Sequence, residues 1–118
     1  MELLAPAGNS ESFNAALESG ANAIYLGLPW FNARRPAKNF TPESLKDSLT
    51  RAKEKGVKVF VTLNTDIKPG EIEDAAKVLT LLTELKVDAV IIKDFGLYYM
   101  ARECFPELEL HLSTQFGI

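Results

Sequence analysis

His111 and Ser113 lie two residues apart at the end of the last apolar run of the chain, a spacing that puts both side chains on one face of a strand. A histidine beside a serine is the start of a nucleophilic site, because the imidazole can take the hydroxyl proton. Side chains two apart on a strand stand side by side, however, and the sequence identifies neither a third group nor oxyanion donors. A barrel-lining histidine satisfied by its neighbours is the plainer account of His111. Lys93 ends another apolar run, where a desolvated amine could form a Schiff base. A rim lysine beside Asp94 is its ordinary alternative. Lys93, His111 and Ser113 are the catalytic candidates, with no assembled constellation behind them.

Arg34, Arg35 and Lys38 place three positive charges in a stretch without an acid, which suits bidentate binding of phosphate or carboxylate. Trp30, Phe31 and Phe40 interleave aromatic surface with that charge, as single-stranded nucleic-acid sites do. A solvated basic loop with its aromatics tucked onto the fold is the alternative. Asp94-Phe95-Gly96 spells a kinase triplet, but no glycine-rich loop or catalytic-loop motif accompanies it, and a helix cap at Asp94 explains it. The single cysteine, Cys104, excludes an internal disulfide and cannot alone hold zinc or an iron–sulfur cluster. At helical spacing from Leu97 and Ala101 it reads as a small core hydrophobe. No metal site is expected.

The elements that must position these groups alternate. Short β-branched runs are expected as strands at Glu2–Ala5, Ala23–Leu26, Val57–Leu63, Ala89–Ile92 and Leu108–Leu112. Between them lie helix patterns with apolar stripes: Phe13, Ala16 and Leu17; Leu45, Leu49 and Ala52; Ile72, Ala75, Ala76, Leu79 and Leu82; Leu97, Met100, Ala101 and Cys104. Alternating strand and helix argues for α/β architecture with a parallel sheet. Five strands and four helices make either a partial (β/α)8 TIM-like barrel or, alternatively, a flavodoxin-like doubly wound sheet. In the barrel, Leu3, Ile24, Val59, Val61, Val90 and Ile91 are expected to face inward, partly uncovered, and the sheet edges to seek partners, giving a homo-oligomer. One domain spanning 1–118 is expected.

Composition bounds the rest. With 47% apolar and 25% charged residues in 118, the chain is globular. Its first residues place no basic region ahead of an apolar one and no apolar stretch reaches membrane-spanning length, so no secretory leader and a cytoplasmic protein without membrane contact are expected. A formal charge of −3 means that any attraction for anions is local. In parallel α/β folds function gathers at the carboxyl ends of the strands. Asn9, Arg34, Arg35, Lys38, Asn64, Asp94 and Gln115 fall there and are the substrate-binding candidates. Gly20–Gly27 and Lys86–Lys93 echo one another, with Lys55–Thr62 a looser copy; repeated βα grammar accounts for this as well as duplication does.

Five segments, Glu2-Leu3-Leu4-Ala5-Pro6-Ala7-Gly8-Asn9, Ala23-Ile24-Tyr25-Leu26-Gly27, Phe31-x-Ala33-Arg34-x-x-Ala37-x-Asn39-Phe40, Gly56–Asn64 and His111-Leu112-Ser113-Thr114-Gln115, carry a resemblance. In this order the chain resembles the amino-terminal half of the collagenase-like peptidases, family thirty-two of unassigned peptidases. The resemblance implies a TIM-like barrel and either peptide hydrolysis or hydroxylation of an RNA nucleobase or a ubiquinone precursor. It also implies, for the hydroxylating members, a four-cysteine iron–sulfur cluster whose ligands lie beyond the matched half. No cofactor is therefore expected in this chain. The segment is read as part of a substrate-binding rim, for RNA or peptide, that is not active alone; a non-catalytic binding or assembly module is the remaining alternative.

Overall fold

The computed structural model describes residues 2–5, 10–27, 42–63 and 68–112. Five strands alternate with four helices: β1 (Glu2–Ala5), α1 (Ser10–Glu18), β2 (Ala23–Gly27), α2 (Pro42–Glu54), β3 (Lys58–Leu63), α3 (Ile72–Leu85), β4 (Ala89–Ile92), α4 (Phe95–Cys104) and β5 (Leu110–Leu112). The strands form one parallel sheet in the order β1-β2-β3-β4-β5. Right-handed crossovers between strands laid down in sequence order place every helix on the same face. Accordingly α1 packs on α2, α2 on α3 and α3 on α4. This is the wall of a barrel. A flavodoxin-like sheet reverses its strand order at a switch point and carries helices on both faces.

Three helix exits share one device, which explains the echo in the sequence. Gly20, Gly56 and Lys86 all have positive φ, at 84°, 71° and 57°. At each exit two backbone N–H groups turn back to helix carbonyls: Gly20 to Leu17 and Ala21 to Ala16, Gly56 to Lys53 and Val57 to Ala52, Lys86 to Thr83 and Val87 to Leu82. This is the Schellman arrangement, and it delivers the chain into the next strand with one apolar residue tucked under the helix end. Asp88 then ties β4 to β3 at that end, where its Oδ2 accepts the Val59 N–H at 2.7 Å. The strand ends opposite the rim are thus firmly registered.

The core lies between the sheet and the helices. Ile24, Leu26, Val61, Val90 and Ile92 are fully buried there against Phe13, Leu45, Leu79, Leu82 and Leu97. The sequence reading placed Leu3, Ile24, Val59, Val61 and Val90 on the uncovered inner side together with Ile91. The structure corrects this: those five pack with the helix-side core, and only Ile91 points the other way. Val90 and Ile91 are adjacent on one strand and cannot share a face. The opposite face carries Tyr25, Phe60, Thr62, Ile91 and His111, which are half-buried or exposed.

Smaller differences have local causes. Leu108 is buried, as expected of core, but belongs to a turn in which its N–H bonds Phe105, so β5 begins at Leu110. In α3 the buried stripe is Ala75, Val78, Leu79 and Leu82; Ile72 is 39% exposed because it begins the helix beyond a 3₁₀ turn at Pro69–Glu71. Cys104, read as core, is exposed at the last position of α4. No described helix is long and apolar enough to cross a membrane.

Candidate functional site

The carboxyl end of β4 is the best-defined part of the rim. The Lys93 N–H donates to the Leu63 carbonyl at 3.3 Å, which prolongs the ladder one residue past the strand and holds Lys93 at the sheet edge of the rim. Asp94 Oδ1 then accepts the Leu97 N–H at 2.9 Å, and the Asp94 carbonyl accepts from Tyr98, so Asp94 is the N-cap expected from the sequence. Gly96 completes the triplet for a packing reason: a Cβ there would stand 3.2 Å from Asp94 Oδ1.

His111 is paired in register with Ile91, on the face away from the helices. Continued alternation puts Lys93 on that same face, diagonally across from it. The His111 ring does not rest among barrel neighbours. Its Nε2 meets Glu109 Oε2 at 3.2 Å, and both side chains are more than half exposed. A carboxylate beside an imidazole orients it and can support proton transfer. Lys93, Glu109 and His111 together offer a cation and a hydrogen-bonding imidazole on the open side of β4 and β5.

Below this row lies a feature the sequence reading missed. Tyr25 and Phe60 are partners in register, and their rings lie 5.1 Å apart, tilted by 32°. Above them Gly27, Thr62, Ile91 and His111 form the next row across four strands. The signal was available: the echoed segments align Tyr25 with Phe60, and each is flanked by residues that pack under the helices. A hydrogen bond to Glu2 pushes the Tyr25 hydroxyl above its usual value of 10.0, helped by burial and by the negative charge of Glu2.

Asn9, Arg34, Arg35, Lys38, Asn64, Ser113 and Gln115 lie outside the described residues. Of the candidates, the structure therefore locates Lys93, Asp94 and His111, and brings Lys93 and His111 to one side of neighbouring strands. No group of three or more His, Cys, Asp or Glu side chains converges as metal ligands among the described residues. An iron–sulfur cluster takes four cysteine thiolates as a rule. Cys104, the single cysteine and exposed on α4, does not fit one.

The chain is 40% identical over 121 residues to the 23S rRNA 5-hydroxycytidine C2501 synthase of Escherichia coli, with 100% of this chain and 18% of that protein covered. It is 36% identical to a collagenase of Porphyromonas gingivalis, over 99% of this chain and 28% of the relative. It is 35% identical to the tRNA hydroxylation protein P1 of Bacillus subtilis, over 97% of this chain and 27% of the relative. The chain thus spans between about a fifth and a little over a quarter of the length of these relatives. The model of peptidase family U32 matches residues 8–118. Matched over nearly its whole length, and with the parallel βα wall described above, the chain belongs to peptidase family U32.

Proposed function

We propose that this chain supplies part of the substrate-binding rim of a U32 protein that modifies an RNA nucleobase in the cytoplasm, and that it is not active alone. The observation that carries the reading is the 40% identity, across the whole chain, to a relative named for making 5-hydroxycytidine in rRNA. The geometry is compatible with this substrate. A base taken out of its stack needs flat apolar surface and hydrogen-bonding groups on an open face, and the face away from the helices offers Tyr25 and Phe60 beneath His111 and Lys93. Arg34, Arg35 and Lys38 would hold phosphates around that base, with Asn9, Asn64, Asp94 and Gln115 completing the rim. The chain forms a single domain in this reading, and copies associate through the free edges of β1 and β5. A concentration-independent monomer in light scattering would remove that last element.

A second reading, peptide binding on the same rim, is favoured by the relative named collagenase. One experiment separates the two. Fluorescence anisotropy with a single-stranded RNA and with a collagen-like peptide should show RNA binding that weakens steeply as salt rises. Replacing Arg34 and Arg35 by alanine should weaken RNA binding and flatten that salt dependence. Preferential binding of the peptide would overturn the RNA reading.

A further inference from the structure

On the outer surface, α1 and α2 flank a cleft of about 430 Å³ lined by Ser10, Asn14, Ser44, Asp47, Ser48, Thr50 and Arg51. Every one of these is polar, in a seam where interlocking helix ridges would ordinarily place apolar side chains. Ser10 opens α1 and Ser44 lies in the first turn of α2, so the cleft begins at the rim end of both helices and runs away from it.

Three features of the cleft have no account in the fold alone. Ser48 is only 4% exposed, yet its hydroxyl has no hydrogen-bond partner among the described residues. The helix hydroxyls of Thr80, Thr83 and Thr50, the last also at the cleft, each donate to the carbonyl four residues back. Arg51 follows Asp47 by one helical turn, the spacing at which acid and guanidinium commonly pair. Instead, Arg51 Nη1 reaches across to donate to Asn14 Oδ1 at 3.0 Å. Asp47 is left without an ion-pair partner among the described residues.

We infer that this cleft seats the ribose–phosphate backbone of an RNA strand, an inference that rests on the RNA reading of the rim. The cleft holds one cation and one anion, so a bare phosphate gains little from it. A ribose–phosphate unit satisfies both. Its phosphate oxygens accept from the remaining N–H groups of Arg51. Its 2′-hydroxyl donates to the Asp47 carboxylate and accepts from the Ser48 hydroxyl or the Asn14 amide. Because only RNA carries that hydroxyl, the cleft would distinguish RNA from DNA.

The test is anisotropy of the 118-residue chain with a short single-stranded RNA and with DNA of the same sequence, across a salt series. RNA should bind more tightly than DNA. Asp47→Ala should lower RNA affinity about tenfold, the loss of one charge-assisted hydrogen bond, while DNA affinity holds or rises. Arg51→Ala should weaken both and lower the salt slope by about 1. Both residues are exposed, so these variants retain the fold. Ser48→Ala should narrow the RNA-to-DNA ratio; a serine that merely spaces two helices would shift the melting temperature and leave that ratio alone. Binding that is lost with Arg34 and Arg35 but indifferent to Asp47, Ser48 and Arg51 would overturn the cleft and keep the rim. Failure of the unaltered chain to bind RNA would overturn both.

Discussion

The two faces of the sheet are built from the same strands and behave oppositely. Toward the helices, Ile24, Leu26, Val59, Val61, Val90 and Ile92 are at most 2% exposed and form one continuous core. Away from them, Tyr25, Phe60, Thr62 and Ile91 are only half-buried, and His111 is exposed. One face is aliphatic and branched; the other mixes aromatic rings with hydroxyl, imidazole and amine. Folding free energy is therefore concentrated on the first and chemistry on the second. A face that packs against nothing among the described residues is free to be polar.

The largest expected effect tests that division. Leu26→Ala, on the covered face, should cost about 2–5 kcal/mol in urea unfolding, since the removed methyls leave a cavity between β2 and the helices. Phe60→Ala on the adjacent strand should cost roughly 1–2 kcal/mol despite the larger truncation, because its ring is already part-exposed. Equal costs would mean that the open face is a core in its own right.

A smaller effect sharpens how the covered face is set in register. The exits after α1, α2 and α3 use the same left-handed turn, but the third places Lys86 where the others place glycine. A side chain with positive φ is strained. Lys86→Gly should therefore stabilise the chain by roughly 0.5–1 kcal/mol, and Gly56→Ala should destabilise it by about 1 kcal/mol. No atom lies within 4 Å of a Cβ built at Gly56, so backbone conformation alone is under test. Thermal melts that rank the two variants the other way would show that these exits do not share a mechanism.

Much of this architecture is legible in the sequence. Phe13, Ala16 and Leu17, and Leu45, Leu49 and Ala52, repeat at helical spacing because burial of one stripe is what makes those segments helical, and all six are buried. Lys93 and Asp94 were legible because they abut a periodic run directly. Strand faces were harder. A strand covered by helices on one side and half-covered on the other reads as a continuous apolar run, and such a run does not announce its parity. Val90-Ile91-Ile92 is the case in point. Cys104 failed differently: helical spacing runs to the last residue of α4, where the side chain is exposed. His111 was read forward to Ser113, whereas its described partner, Glu109, lies two residues behind.

The smallest effect probes the open face at β1 and β2. The side-chain hydrogen bond with Glu2 pushes the Tyr25 hydroxyl above 10.0 first, followed by burial and the carboxylate charge. A phenol whose folded value is raised contributes stability that is fully present below its ordinary value and is lost as pH climbs through the folded one. The window is therefore alkaline, beginning near 10 and extending upward; neutral pH lies outside it. Glu2→Ala removes both the bond and the charge, so the raised ionisation should move back toward the ordinary tyrosine range. Ultraviolet difference titration of the chain against Glu2→Ala, with Tyr25→Phe to identify the band, reads this directly. A Tyr25 band that ionises at the same pH with and without Glu2 would mean that the pair does not form, and that the open face is wetter at β1 and β2 than its register suggests.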